Sequence, residues 1–242
     1  KLSTWSLDLI QSLPGQDLAL WTEELLQAIG TFAPHLSIYD LSIEVGTVFA
    51  WRRSRGELHL PNEDLAVEIM RQTSNVLARA GFSRYEISNY ALPGHASRHN
   101  RVYWSGAGWW GFGLGATSSP WGQRASRPRT RAAYENWVAL QEDRCLDLSS
   151  LFDNATPMAL DEQLIVGLRR REGVDLMTLA KNWGWNNKQC EEHMTSLMLM
   201  WSDAIDDGLI NSQGSRFKLS DPYGMEISNQ VLVQVLLWWD SL

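Results

Sequence analysis

Cysteine is nearly absent: Cys145 and Cys190 are the two in 242 residues. That is too few for a disulfide framework, and their spacing fits no zinc or iron–sulfur pattern. No stretch approaches the roughly 18 consecutive apolar residues that a membrane helix requires, and no signal peptide is visible. Excess positive charge is missing too. With 21 Lys and Arg against 28 Asp and Glu the formal net charge is −7, which argues against a nucleic-acid binder held by bulk electrostatics. Hydrophobic residues at 44% and charged residues at 20% exclude extended disorder. The expectation is a protein of a reducing, cytoplasmic setting, whose contact with a membrane is peripheral at most.

What is present begins with tryptophan, whose 13 copies outnumber the 6 Tyr and the 6 Phe. The length suits one large domain, or one large and one small. The chain opens at Lys1 and runs at once into what reads as a buried strand, Thr4 to Ile10, which suggests a piece of a larger protein. Leu13-Pro14-Gly15 ends that strand. A helix follows, with Leu18, Trp21, Leu25, Leu26 and Ile29 on one stripe, and then a second strand over Leu36–Leu41. Strand, helix, strand within this length predicts a βαβ unit with parallel strands, and in such folds ligands gather at the carboxyl ends of strands.

A longer helix is expected from Asn62, its N-cap, to Ala80, with Glu63 and Asp64 in the first turn. Arg84–Tyr90 reads as one more strand. Residues 92–129 show little periodicity but carry Tyr103, Trp104, Trp109, Trp110, Phe112 and Trp121, and so many aromatics are costly to leave in water. Past Asp153 the pattern changes to helices near 158–171, 175–184 and 187–207, a hairpin turning at Gln213-Gly214, and a last helix over 222–239. This predicts two domains, 1–152 and 153–242, the second a small, mainly helical, winged-helix-like module.

The chemistry-bearing candidates each have a plain alternative. Asp8 lies in a strand between Leu7 and Leu9, where a charge is expensive unless it binds something or turns to solvent. His95, His99, Asn100, Tyr103 and Trp104 sit close together, and a neutral imidazole is a common metal and haem-iron ligand; equally, a histidine in an irregular loop is usually without a role. Gly111-Phe112-Gly113-Leu114-Gly115 lacks the Lys-Ser/Thr of a phosphate loop and reads better as close backbone packing. Arg169-Arg170-Arg171 reads as a solvated helix end, and Met194, Leu197, Met198 and Met200 as core. No Ser/His/Asp or Cys/His set has a nucleophile's setting.

Several segments taken together resemble one family. Ser6-Leu7-Asp8-Leu9-Ile10-Gln11-Ser12-Leu13-Pro14-Gly15-Gln16, His35 to Thr47, and Tyr85-Glu86-Ile87-Ser88-Asn89-Tyr90-Ala91 with Pro93-Gly94-His95 are similar to late-barrel segments of the coproporphyrinogen dehydrogenase-like radical S-adenosylmethionine proteins. His99-Asn100-Arg101-Val102-Tyr103-Trp104 fits the His-Asn-x-x-Tyr-Trp motif of that family's haem-chaperone branch, as opposed to its dehydrogenase branch. Glu172-Gly173-Val174-Asp175 and Leu219 to Asn229 resemble the small end domain.

The resemblance implies an α/β fold: the C-terminal portion of an incomplete (β/α) barrel, plus the winged-helix-like end domain. It implies S-adenosylmethionine and a 4Fe–4S cluster in the complete protein, haem as a ligand, and a haem-accepting protein as partner. The alternative it leaves is an oxygen-independent coproporphyrinogen III dehydrogenase of porphyrin biosynthesis. Carried over, Asp8, Leu41, Ser42 and Tyr90 would contact S-adenosylmethionine. His99, Asn100, Tyr103 and Trp104 would face haem, with His99 the iron ligand.

Three departures stand out. The Cys-x-x-x-Cys-x-x-Cys triad is absent, so the chain as given is expected to hold no cluster and start no radical chemistry. Gly115-Ala116-Thr117-Ser118 replaces the family's Gly-Ala-His-Ser, and Ser12 stands where the family has Gly. The whole reading requires that the Asp8 carboxylate and the His99 imidazole look into one hollow.

Overall fold

The computed structural model describes residues 2–120, 122–143 and 156–242; Lys1, Trp121, Cys145 and the expected domain boundary at 152/153 lie outside them. The first sheet grows from β1 (Ser6–Gln11) and β2 (His35–Asp40). They pair in parallel, Ser6 opposite His35 through Gln11 opposite Asp40, as the βαβ pattern requires. Side chains alternate across a strand. Leu7 and Leu9 therefore pack against the helices, while Ser6, Asp8 and Ile10 look out from the other face.

The crossover helix α1 (Leu18–Gly30) starts at Asp17, whose side chain accepts the Leu20 N–H. It buries Trp21, Leu25 and Ala28. Leu26, expected on the same stripe, is instead 56% exposed. After the short α2 (Val48–Ser54), α3 (Glu63–Arg79) is capped by Asn62 and presents Ile69, Thr73 and Leu77 to α1. These residues, with Leu36, Ile38, Phe82 and Tyr90, form a core on one side of the sheet. Each fully buried Leu or Ile there contributes ~2 kcal/mol of apolar burial.

Residues 84–90 do not form one strand. β3 (Ser83–Arg84) and β4 (Asn89–Ala91) are two short strands paired antiparallel, and β4 also runs antiparallel to β2. Glu86 causes the break. Its buried carboxylate accepts the Ser88 N–H and the Asn89 side-chain amide, folding the chain back on itself. The order β1-β2-β4-β3 leaves β1 on a free edge among the described residues: an open, partial barrel.

The aromatic stretch hides a helix, α4 (Arg98–Trp104), capped by Ser97 through the Asn100 N–H. Beyond it, β5 (Thr117–Ser118) and β6 (Gln123–Ser126) pair, and Trp109 bridges to Ser119. A Cβ on Gly111 would stand 2.4 Å from the Thr117 carbonyl oxygen, so close packing is the role of that glycine. After α5 (Arg131–Asp143), β7 (Thr156–Pro157) pairs with β6.

The end module is built of α6 (Leu160–Leu168), β8 (Val174–Asp175), α7 (Leu176–Trp183), α8 (Asn187–Met200), α9 (Ser202–Asp206), β9 (Ile210–Gln213), β10 (Arg216–Leu219), α10 (Tyr223–Glu226) and α11 (Ser228–Trp239). Its helices and its small sheet, β8-β10-β9, enclose a second core around Trp201, Phe217 and Trp238. Helices, a hairpin and a last helix follow one another in the order expected. Met198 and Met200, expected in that core, are 39% and 37% exposed, because they lie on the outer side of α8; Leu197 is buried.

One backbone feature bears on the loop after β1. Ser12 has φ 63°, a left-handed conformation that costs an L-residue ~1–2 kcal/mol and a glycine almost nothing. Glycine adds unfolded-state entropy worth ~0.5–1 kcal/mol. The relief of strain outweighs that entropy, so Ser12→Gly should stabilise the protein by about 0.5–1 kcal/mol. A higher urea midpoint at unchanged slope would record it.

Candidate functional site

The outward face of the first sheet is the floor of a cavity of about 850 Å³. Ser6 and Asp8 of β1, with His35, Ser37 and Tyr39 of β2, line it on one side. The loop and first turn at 94–100, including His95, Ser97, Arg98, His99 and Asn100, close the other. Thr4 fastens that loop to β1 through a 3.1 Å hydrogen bond between its hydroxyl and His95 Nδ1. Asp8 and His99 thus share one hollow.

The Asp8 side chain is exposed, an acceptor-only carboxylate at the cavity surface. His99 is also exposed, and its ring edge packs on Tyr103 at 4.9 Å, with no hydrogen bond to either nitrogen among the described residues. From Asp8 toward the cap of α4 runs a polar chain whose two central members are buried. Ser6 Oγ lies 3.5 Å from Asp8 Oδ1 and 2.8 Å from His35 Nδ1. His35 Nε2 meets the Tyr85 hydroxyl at 2.7 Å, and that hydroxyl accepts the Ser97 N–H at 3.3 Å. His35 is 4% exposed and Tyr85 8%. Burial pushes the His35 pKa down, partly offset by the Asp8 carboxylate, and burial pushes the Tyr85 phenol up.

The other candidates separate. Leu41 and Ser42 follow β2 at its carboxyl end: Leu41 donates its N–H to the Gln11 carbonyl, and the Ser42 hydroxyl points to Glu44. Neither lines the cavity. Tyr90 stands opposite Leu36 in the β-ladder and so faces the helices, 3% exposed, with the Arg84 guanidinium over its ring. It is on the far face of the sheet from Asp8. Within the motif, His99 and Asn100 face the cavity; Tyr103 carries the aromatic stack on to Trp109, and Trp104 lies under Arg169. Helix α4 is therefore a wall with two sides.

Behind that wall a second cavity, about 530 Å³, separates α4 from the end module. Here the arginine run is a solvated helix end only in part: Arg171 is exposed, but Arg169 and Arg170 are half-buried. Arg169 covers Trp104, Arg170 bridges to Glu86, and the Arg171 N–H is donated to the Tyr85 carbonyl. Arg101 and Glu172 close the seam at 2.8 Å. Desolvation raises the Glu86 pKa against the hydrogen bonds from Asn89 and Ser88 and the charges of Arg84 and Arg169. Ser6, His35, Tyr85 and Arg98 escaped the sequence reading, although the alternation His35-x-Ser37-x-Tyr39 beside Ser6-x-Asp8 marks one polar sheet face.

No family model matches the chain. Among curated proteins it is 35% identical to the heme chaperone HemW of Synechocystis sp. over 96% of its own length and 58% of that relative. This similarity supports a place in the HemW-like radical SAM family. It is also 29% identical to the heme chaperone HemW of Bacillus subtilis, across 93% of this chain and 57% of the relative. It thus spans somewhat under three fifths of these relatives. In fold it resembles the coproporphyrinogen III oxidase HemN of Escherichia coli, a radical SAM enzyme: TM-score 0.67, 15% identity, 98% of this chain and 55% of that one.

Complete members of the family use S-adenosylmethionine and an iron–sulfur cluster. Of the two cysteines, Cys190 is buried in the end module beside Trp185, and Cys145 lies outside the described residues. Among the described residues no three His, Cys, Asp or Glu side chains gather as a metal site. An exposed acceptor such as Asp8, in contrast, fits a hydroxyl-bearing ligand, and the free His99 ring fits a metal macrocycle.

Proposed function

We propose that this chain is the haem-handling portion of a haem chaperone, binding haem at the 850 Å³ cavity with His99 as iron ligand. The observation that carries the reading is the exposed imidazole of His99, packed on Tyr103, without a hydrogen bond among the described residues, and lining a cavity that Asp8 also lines. In this reading Asp8 accepts ribose hydroxyls of S-adenosylmethionine in the complete protein. Leu41 and Ser42 border that ligand from the strand ends, and Asn100 orients the helix. Tyr103 and Trp104 hold α4 in place instead of touching the macrocycle. Haem then passes to an acceptor protein in a reducing, cytoplasmic setting. No helix among the described residues is long and apolar enough to cross a membrane.

Haemin titration followed at the Soret band tests this. Even the outer hydrogen-bond partner of a metal-bound histidine is worth about 10–100-fold in affinity, so His99→Ala should weaken haemin binding at least about tenfold and move the Soret maximum. His95→Ala, removing a ring already tied to Thr4, should do neither. Unchanged affinity and spectrum in His99→Ala would remove the ligand assignment.

A further inference from the structure

The two cavities meet at the segment 94–98. Gly94, Ala96 and Arg98 line both of them, so the first turn of α4 is the partition. Arg98 is exposed at this joint and has neither a hydrogen bond nor an ion pair among the described residues. It is the residue next to His99, and a ligand seated in the larger cavity meets it without entering the smaller one.

Charge in the smaller cavity runs against the rest of the chain. The net charge is −7, yet this lining sets three arginines, Arg98, Arg101 and Arg170, against two glutamates, Glu86 and Glu172. Both carboxylates are already answered. Glu86 accepts from Ser88 and Asn89 with the charges of Arg84 and Arg169 nearby, and Glu172 pairs with Arg101. Neither Arg98 nor Arg170 makes an ion pair among the described residues.

Arg170 is also fixed in place. Its Nη2 donates to the Gly173 carbonyl at 2.9 Å, and its Nε is buried with no partner among the described residues. Burial lowers its pKa; Glu172 offsets part of that, while the charges of Arg101 and Arg216 add to it. A guanidinium drawn out of water and short of counter-charge is costly until an anion joins it. Its planar fork of donors matches a carboxylate. Arg170 thus stands in the smaller cavity as a fixed fork, and Arg98 at the joint as an adjustable one.

Haem carries two carboxylate side chains on one edge of its ring. We propose that the smaller cavity is the carboxylate pocket of the haem site, where Arg98 and Arg170 hold the ligand's carboxylates while His99 holds its iron. The ring then lies in the larger cavity with its charged edge turned to the partition, and Arg98 makes the site specific for a carboxylate-bearing macrocycle. This deepens the functional reading above and rests on haem as its ligand.

The test sets haemin against its dimethyl ester, which keeps ring and iron but lacks both charges. Each is titrated into the complete protein at the Soret band. One hydrogen bond to a charged group is worth about tenfold or more, so the wild type should bind haemin at least about tenfold tighter than the ester. Arg98→Gln, at an exposed position, should weaken haemin about tenfold, leave the Soret maximum in place, and bind the ester as the wild type does. S-adenosylhomocysteine, the other source of a carboxylate, should bind this variant and the wild type alike. Equal wild-type affinity for haemin and ester would overturn the pocket. So would an equal loss of both in Arg98→Gln, or a loss of S-adenosylhomocysteine in their place. If His99→Ala changes neither affinity nor spectrum while the ester is still rejected, the iron assignment falls and the carboxylate pocket stands. Failure of the wild type to bind haemin would overturn both.

Discussion

Gly173→Ala should destabilise the end module by about 3 kcal/mol or more, the sum of a left-handed backbone penalty and an overpacked contact. Gly173 has φ +66°, and a Cβ there would lie 2.0 Å from the Phe217 carbonyl oxygen and 2.8 Å from Lys218 Cα. Both are backbone atoms of β10, the central strand of the small sheet. They cannot swing aside as a side-chain tip would. Moving β10 drags Phe217, fully buried against Trp201 at 5.5 Å, out of the core. Gly184 separates the two causes: it too is left-handed, at φ +108°, but has nothing within 4 Å of its Cβ position. Gly184→Ala should therefore cost only the backbone part, about 1–2 kcal/mol. Urea unfolding followed by the fluorescence of Trp201 and Trp238 measures both, and equal midpoints for the two variants would refute the clash.

The fold was legible where hydrophobic spacing and capping agree. Asn62 with Glu63 and Asp64 announced α3, and the run from Thr4 to Ile10, ended by Leu13-Pro14-Gly15, announced β1; the structure has both within a residue or two. Helix α4 was not legible, because its seven residues are too short to show a period and its flanks are rich in glycine and tryptophan. The strand read across Arg84–Tyr90 failed on Glu86. A carboxylate between Tyr85 and Ile87 looks like an outward-facing strand residue, whereas here it is buried and organises a turn. The arginine run misled for a related reason. Composition shows that Arg169, Arg170 and Arg171 are charged, but not that Trp104, Glu86 and the Tyr85 carbonyl lie across from them.

The site followed the same rule. Asp8 and His99 could be named because each belongs to a recognisable segment. His35 and Tyr85 connect those segments only in three dimensions, across sequence separations of 29 and 50 residues. Tyr90 sits in a matching segment too, yet its place in the register against Leu36 turns it to the helix layer. Residue identity carried the chemistry, and strand parity decided which face it reached.

The second large effect is expected at Thr73, which is 1% exposed. Its hydroxyl accepts the Trp21 indole N–H at 2.8 Å and contacts Gln11 Oε1 at 2.8 Å, with the Ile69 carbonyl at 2.9 Å as the alternative acceptor of its single proton. Valine fills the same volume. Thr73→Val therefore leaves packing intact and orphans a buried donor and a buried acceptor, which at ~1–3 kcal/mol each should cost about 2–4 kcal/mol. Thr22→Val, removing a half-buried hydroxyl that bonds the Leu18 carbonyl and Gln72, should cost about 1 kcal/mol or less. The double variant Gln11→Met/Thr73→Val decides the mechanism. Methionine has no amide oxygen to strand, and Asp40, the other partner of Gln11 at 2.7 Å, is exposed and can turn to water. The double variant should thus be more stable than Thr73→Val alone by about 1 kcal/mol; a still less stable double variant would mean that the hydroxyl matters through packing. Because the Gln11 carbonyl also holds the Leu41 N–H at 3.2 Å, Thr73→Val should speed amide exchange at Leu41, loosening the strand ends that border the cavity floor while the Asp8–Ser37 register upstream stays protected.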